Sequence, residues 1–518
     1  MNLMKPAGPG TGVADGTGLF RKRLAAVLSL LVVWLAVTKL FWVGYVGSDD
    51  LFYARYAFFF SRAPINWWEC RLPAILAMRA GFHLFGPSET AAALPTLLAS
   101  LICLAVIAWY VDWPRSLNWQ TNATVLIAAT LPLDVTYRTV PGAVFMASGL
   151  LVAGVGLVLK GSTLLRILGC VCIAGSIATH ETMMFPAAIL LGTAALFDLR
   201  RFWRPILFAS LLTVFFAGLQ CLYYGVAFHD PFLRLRVASE ATRVYSGLSD
   251  PDTHLAGLAF LLWPVRMALF SKVFGLDLIA LLILGIAAWR RLNQDHRVLL
   301  LSGLLIWLYL GFGSTVPWRY QPFARMYHFY GPLILPVAVL LPVCLGLVFP
   351  KRVWQRAAVA GIITVHLVCC AGGGRWGQGT QVSGSLLAYA HDHASQTFIT
   401  DVSTLNDMYV LNGFTVPANV VALNGPALQS DFLVNKEPPD VPRIRFPERP
   451  VDAVMLNREL IDSGSLDQDF LRYSAGLAGA RKRIVPVQYK LLFVPFEGMV
   501  EGRSFAIRSE GAELLIPH

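Results

Sequence analysis

Asp49 and Asp50 stand side by side in the stretch GYVGSDDLFYARYAFFF, Gly44 to Phe60, directly after the first long apolar run of the chain. A carboxylate there can take a proton from an incoming hydroxyl group. Tyr53, Arg55 and Tyr56 follow at once. More groups of this kind recur along the chain: Glu69 with Arg71 in WWECRLP, Asp134 in LPLDVTYR, His229 and Asp230, Arg319, and Arg325 with His328 in WRYQPFARMYHFYG. Guanidinium groups bind phosphate in a bidentate way and neutralise charge on a departing phosphate. Acids, bases and cations bordered by Trp and Tyr are the inventory of a group-transfer site. Plainer readings stand beside this one. An acid at a helix exit is a solvated flank, an interfacial Arg anchors headgroups, and an Asp in a short loop forms a turn.

The elements that must position these groups are helices in a bilayer. The 518 residues are 56% hydrophobic and 14% charged, with a mean hydropathy of +0.59. A soluble domain carries about 25% charged residues, so this chain reads as a polytopic membrane protein. Its net charge of +11 does not point to nucleic acid, because Lys and Arg lie in short clusters between apolar runs, as membrane orientation requires. Eleven apolar segments of roughly spanning length are expected, at about 24–46, 91–111, 122–140, 141–159, 164–179, 183–198, 205–225, 272–289, 298–313, 330–348 and 357–372. The segment 255–271 is too interrupted to span and reads as interfacial. Arg21-Lys22-Arg23, Arg115, Lys160 with Arg166, Arg200-Arg201 with Arg204, Arg290-Arg291 with Arg297, and Lys351-Arg352 with Arg356 fall on one side if the spans alternate. That side is predicted to be cytoplasmic. The candidate acids and cations then share the opposite face.

Three regions are expected: residues 1–20 as a disordered Gly/Pro-rich tail, 21–372 as the membrane domain with external loops, and 373–518 as a small α/β domain on the external face. The first apolar run has no small-residue cleavage site near its end and reads as a retained span. AGGGRWGQGTQ reads as a flexible junction. TFITDV, NVVALN, VDAVMLN and YKLLFVPF read as strands, and STLNDMYVLNGF as a helix ending near Gly413. The eight cysteines have no metal spacing and imply no disulfide framework. Gly372-Gly373-Gly374 lacks the lysine of a phosphate loop, and Asn122-Ala-Thr124 is a sequon by chance, at a cytoplasmic helix start.

In this order and with this sidedness the motifs resemble the GT-C glycosyltransferases, in particular the branch with bacterial lipid A aminoarabinose transferase and the protein O-mannosyltransferases. GSDDLFYARYA looks like that family's acidic motif in the first external loop. WWECRLPAILAMRAGFHLFGPSE, Trp67 to Glu89, is similar to its acidic-basic stretch with an interfacial helix ending in Phe-Gly-x-Ser-Glu. Pro132-Leu133-Asp134 resembles its Pro-Leu-Asp turn, and Arg325, Tyr327 and Pro332 its Arg-x-Tyr-x-x-x-x-Pro segment. The likeness covers the first ~160 residues clearly and the late loop loosely. Aminoarabinose transferases tend to carry Lys just after the acid of the second motif; here Cys70 follows Glu69, and the cation is Arg71. The Asp-Asp pair also resembles arabinofuranosyltransferases of the same superfamily.

The resemblance implies a membrane-embedded transferase in the bacterial inner membrane. It would move a hexosyl or pentosyl group from a polyprenyl-phosphate-linked donor to a lipid, glycan or protein hydroxyl at the periplasmic face. Asp49 is expected to be the general base of an inverting displacement, with Asp50 a close alternative. Arg71, Arg325 and Arg319 are expected at the donor phosphate, and Glu69, Asp134, Tyr53 and His328 at the sugar. No cofactor is required; a divalent metal, if any, would sit on Glu69 with His229 or His328. The runner-up is a transporter or flippase for a lipid-linked sugar. Transporters place ionisable groups at the midplane of broken helices, whereas here the apolar segments are nearly free of charge. A third reading is a membrane anchor for a tail that binds a cell-wall polymer.

Overall fold

The computed structural model describes residues 14–47, 49–60, 63–64, 66–239, 261–262, 264–265, 269, 273–313, 327–373, 378–422, 451–459, 470, 474–477, 479–487 and 512–516. The interfacial segment 255–271, Arg319, Arg325 and the YKLLFVPF strand fall largely or wholly outside these residues, as does the side chain of His328.

The chain is a polytopic α-helical membrane protein with a small C-terminal sheet. All eleven expected segments are helical. Among the described residues seven helices are long and apolar enough to cross a bilayer: Leu19–Leu40, Glu89–Tyr110, Ala143–Lys160, Leu199–Phe228, Gln294–Phe312, Tyr330–Val348 and Arg352–Ala371. The other four are shorter. The 122–140 segment breaks at Leu131, where Pro132 ends Trp119–Thr130 and opens Pro132–Tyr137, since proline cannot donate its backbone bond within a helix. The first helix begins at Ala14, inside the expected tail.

Burial sorts these helices. Ala143–Lys160 and Tyr330–Val348 each have 78% of their most apolar window buried, against 22% for Leu19–Leu40 and 11% for Leu199–Phe228. The first two are the centre of the bundle. The last two show Leu and Phe outward, which is stable only against lipid. Ala143–Lys160 packs closely on Thr163–Thr179, where Gly154 and Gly169 approach so tightly that a Cβ on either would lie 2.7 Å from the other's carbonyl oxygen; small residues serve this purpose between membrane helices.

The two ends of the bundle differ in chemistry. At one end Lys160 pairs with Asp112 at 2.7 Å and donates to Tyr110 O at 2.6 Å. There Arg201 reaches Leu159 O and Asp295, and Arg291 donates to Leu347 O at 2.7 Å. The basic loops thus converge at one end, as their alternation predicted. The other end holds the Asp49–Phe59 and Leu72–Phe85 helices, the Glu181–Met183 turn and the C-terminal region.

That region has a five-stranded sheet in the order β2-β1-β3-β5-β4. β1 (Phe398–Thr400) pairs in parallel with β2 (Val420–Ala422) and β3 (Ala453–Asn457); β5 (Ala512–Ile516) joins β3 and β4 (Arg481–Val485) antiparallel. β1, the Val402–Leu411 helix, β2 and β3 match the expected elements. β4 and β5 do not: RKRIV is outwardly charged and AELLI short, so neither shows a strand alternation. The expected junction is shorter than its composition suggested, because the Gln378–Asp392 helix starts within it.

Candidate active site

Asp49 and Asp50 open the Asp49–Phe59 helix, where the helix dipole favours negative charge. Their turn is held from behind. Glu89, in the first turn of Glu89–Tyr110, accepts from Tyr45 N at 2.8 Å through Oε1 and from Trp42 Nε1 at 2.9 Å through Oε2. Gly44, at φ +77°, passes over that carboxylate; a Cβ there would lie 1.8 Å from Glu89 Oε1. Asp50 is 2% exposed, and its Oδ2 accepts from Val46 N at 2.6 Å. Asp49 is half-buried at the helix start. The two neighbours therefore differ: Asp50 shapes the turn, and Asp49 is more open, with its charge acting on Tyr53 and Arg71.

Tyr53 lies one turn after Asp49, on the same helix face. Its hydroxyl accepts from Arg71 Nη1. Burial raises the Tyr53 phenol well above its ordinary range, with Arg71 opposing and Asp49 adding to the rise, so it is a neutral hydroxyl. Arg71 is 4% exposed. Its guanidinium stands 5.8 Å from the Tyr53 ring and 5.7 Å from the Trp67 ring. Burial alone would lower its pKa, but Tyr53, Glu181 and Asp49 reverse that. The turn carrying it is built by Asn66, whose Oδ1 accepts from Glu69 N at 3.0 Å, and by Pro73 at the start of Leu72–Phe85.

Arg71 Nη2 also meets Glu181 Oε1 at 3.4 Å, and Glu181 Oε2 meets Arg234 Nη2 at 2.7 Å. Arg234 is fixed by Gln220 Oε1 and by Ala178 O at 3.3 Å. Glu181 keeps 50% of its side chain exposed, so water reaches it. Burial would raise its carboxyl, but Arg71, His180 and Arg234 together hold it well below the carboxylate range. Asp49, Tyr53, Arg71, Glu181 and Arg234 thus form one chain of interacting charges and dipoles across three loops.

The other expected residues fall in several places. Glu69 is 0% exposed, and its charge acts on the Tyr56 hydroxyl. Cys70, where relatives of the motif tend to have Lys, is buried, which pushes its thiol up to about 12; it is inert packing. Asp134 lies inside the bundle. Its Oδ2 accepts from Ser100 Oγ at 2.8 Å and from Arg138 Nη1 at 3.3 Å, and Arg138 lies 4.8 Å over the Trp34 ring. Its partners are therefore bundle residues, not the first-loop group. His229 ends the Leu199–Phe228 helix in the left-handed region at φ +56° and is exposed. Among the described residues no three His, Cys, Asp or Glu side chains gather as a metal site. An apolar groove between Asp277–Ala288 and Gln294–Phe312, lined by Leu278, Leu281, Leu304 and Trp307, carries no polar group for chemistry.

Neither Arg234 nor Glu181 is among the site residues expected from the sequence. A cation in a long polar loop looks like any surface Arg. The only signal for Glu181 was the rarity of a His-Glu pair between two apolar segments.

Fold and site together define a polytopic membrane protein with a cluster of charged side chains at one end of its bundle, where the C-terminal region packs on the first-loop helices. Solved structures of ArnT from Cupriavidus metallidurans, a lipid A aminoarabinose transferase of GT-C type, share this fold. The crystal structure bound to undecaprenyl phosphate matches with a TM-score of 0.54 at 13% identity, covering 90% of this chain and 96% of that one. The apo crystal structure matches at 0.56 and 13%, covering 91% and 96%. No protein-family model matches the chain, and no curated protein matches it significantly in sequence. The likeness expected from the order of motifs is met at the level of the fold.

Proposed function

We propose that this protein is a membrane glycosyltransferase that moves a sugar from a polyprenyl-phosphate donor to a hydroxyl of an envelope lipid, glycan or protein at the external, periplasmic face of the bacterial inner membrane. The observation that carries the reading is Arg71, one buried guanidinium shared between the Asp49–Tyr53 helix face and the Glu181–Arg234 pair. It sets a proton acceptor beside a phosphate receiver. ArnT bound to undecaprenyl phosphate makes such a donor reasonable for a chain of this fold. The basic loops at the opposite end support the orientation.

In this reading Asp49 takes the proton from the acceptor hydroxyl. The acceptor oxygen bonds to the anomeric carbon from the face opposite the phosphate. The carbon–oxygen bond to phosphate breaks, and the polyprenyl phosphate leaves with the electron pair. Configuration inverts. Arg71 and Arg234 receive the phosphate charge through bidentate hydrogen bonds. Glu181, half open to water, gives way to it. Tyr53, Glu69 and the aromatic wall of Trp67 and Trp68 bind the sugar, for which Asp134 and His328 remain further candidates. Arg325 and Arg319, from the late loop of the sequence, remain further candidates for the donor phosphate. No step is routed through a metal. Residues 21–372 carry the reaction, and 373–518 complete its external wall.

The test is transfer by purified protein in nanodiscs from radiolabelled polyprenyl-phosphate sugars. Asp49→Asn should abolish turnover while leaving the fold intact, and the glycan or lipid species lost from cells carrying it would identify the acceptor. Movement of the lipid-linked sugar across the bilayer without transfer would refute the transferase and favour a flippase.

A further inference from the structure

The Leu199–Phe228 helix shows most of its length to lipid. Its buried residues are Phe202, Pro205, Ala209, Gln220 and Tyr224. Gln220 and Tyr224 are the two that carry polar heads, and they lie one turn apart on one helix face. Gln220 is 8% exposed and Tyr224 is buried. A buried amide in apolar surroundings is costly unless its groups are bonded, and leucine would serve packing alone. The bonds that Gln220 and Tyr224 make all go to the segments that carry Arg71, Glu181 and Arg234.

Gln220 works in two directions. Its Oε1 accepts from Arg234 Nη1. Its Nε2 donates to Ala178 O at 3.1 Å, and the same carbonyl accepts from Arg234 Nη1 at 3.3 Å. Ala178 lies in the last turn of Thr163–Thr179, where carbonyl groups lack partners within the helix and the dipole favours a cation. Glu181 follows three residues on and meets Arg234 Nη2 at 2.7 Å through Oε2. One carboxamide thus holds both the Arg234 guanidinium and the helix end that leads into Glu181. Tyr224 serves the other guanidinium. Its hydroxyl donates to Cys70 O at 3.0 Å, and Arg71 is the next residue. Cys70, Tyr224, Leu233 and Val237 share one apolar cluster, which seats the segment of Arg234 against the segment of Arg71. Arg71 and Arg234 meet the two oxygens of a single carboxylate, Oε1 and Oε2 of Glu181. Their spacing is therefore that of one small oxyanion, and both are tied to one helix face.

We propose that Gln220 and Tyr224 are positioning residues for the donor phosphate: from one face of a lipid-facing helix they hold Arg234 and Arg71 at the spacing that a single phosphate bridges. The proposal rests on the transferase reading and deepens it, because each residue acts through a guanidinium and not on the substrate.

The test is a pair of double-mutant cycles on the full-length protein in nanodiscs. The readout is binding of a radiolabelled short-chain polyprenyl monophosphate, so no transfer is required. Gln220→Met keeps the length of the side chain and removes its hydrogen bonds; Tyr224→Phe removes one hydroxyl. Gln220→Met should weaken binding about tenfold and Tyr224→Phe about fivefold, the size of a hydrogen bond lost at or next to a charged group. In an Arg234→Met background Gln220→Met should change binding by less than about twofold, and Tyr224→Phe should do the same in an Arg71→Met background, because the group through which each acts is gone. Full losses that persist in those backgrounds would mark residues that support the fold and nothing more, and they overturn the proposal. So do losses under about twofold in the otherwise unchanged protein. Binding that survives both Arg71→Met and Arg234→Met overturns the phosphate role of the two arginines and the positioning with it, so the two failures are told apart. If Gln220→Met fails to fold, the Tyr224→Phe cycle decides.

Discussion

Replacing Glu89 by glutamine or alanine should slow transfer without touching any group that meets substrate. The carboxylate accepts from Tyr45 N at 2.8 Å and Trp42 Nε1 at 2.9 Å, and Tyr45 is 2% exposed. A hydrogen bond to a charged group is worth about 1.5–3 kcal/mol. Glutamine offers one carbonyl oxygen and one amide group, so it serves one donor and confronts the other. Alanine serves neither and leaves the buried Tyr45 amide without its acceptor. Because Glu89 is only half-buried, water recovers part of the loss, and about 2 kcal/mol is the expected net effect of the glutamine. That corresponds to roughly 30-fold in the population of the docked turn. The turn carries Val46, whose N–H binds Asp50, so kcat should fall by a similar factor and further for alanine. The assay is initial-rate transfer in nanodiscs, with thermal melting of the bundle as control. Rates within about twofold of wild type for both variants, in a folded protein, would show that Glu89 does not set the turn and would falsify the chain of positioning argued here.

Arg71→Lys keeps the charge but loses the fork that spans Tyr53 and Glu181, so kcat/KM for the donor should drop about tenfold, and Arg71→Met should drop it further; donor titration measures both. Asp134→Leu leaves Arg138 buried without its pair and should destabilise by about 3–5 kcal/mol, whereas Asp134→Leu with Arg138→Met should recover most of this in a detergent melting assay. If the double variant melts like wild type yet transfers poorly, Asp134 works on the sugar as well. Asp407, raised to about 7 by burial and by Asp401 and Asp50, binds its proton more tightly folded than unfolded. Stability from this group is therefore full below about pH 4 and is lost as pH rises to about 7; the slope measured by calorimetry should flatten in Asp407→Asn.

The sequence made the bundle legible because spanning helices must satisfy their backbone internally and show apolar faces to lipid. The same rule cannot tell a twelve-residue buried helix such as Trp119–Thr130 from part of a longer span. It cannot show that Pro132 divides a segment in two. In the C-terminal region β1 and β3 were readable as buried apolar runs, while β4 was not, because four of its five residues are exposed and three are basic. The first-loop acids stood out by being charged next to an apolar run. Their supports did not. Glu89 was visible as part of a motif but without a role. Arg319 and Arg325 lie outside the described residues, so their expected place at the phosphate stays with the proposed function.

Charge balance explains why the recess tolerates a buried Arg71. An unpaired guanidinium at 4% exposure would be costly, and even a paired one is held only when its donors are met. Here Tyr53 meets Nη1 and Glu181 meets Nη2, Asp49 adds its field, and Nε has no hydrogen-bond partner among the described residues. Glu181 is shared with Arg234 and half open to water, so it is the member of the set that can leave at least cost. A phosphate that takes its place gains both guanidiniums, and the displaced carboxylate regains solvent. In the proposed reading Asp49 is not displaced this way, since the turn before it is tied to Glu89. On that reading the site separates an exchangeable anion, Glu181, from a fixed one, Asp49, as a phosphate leaving group and a stationary base require.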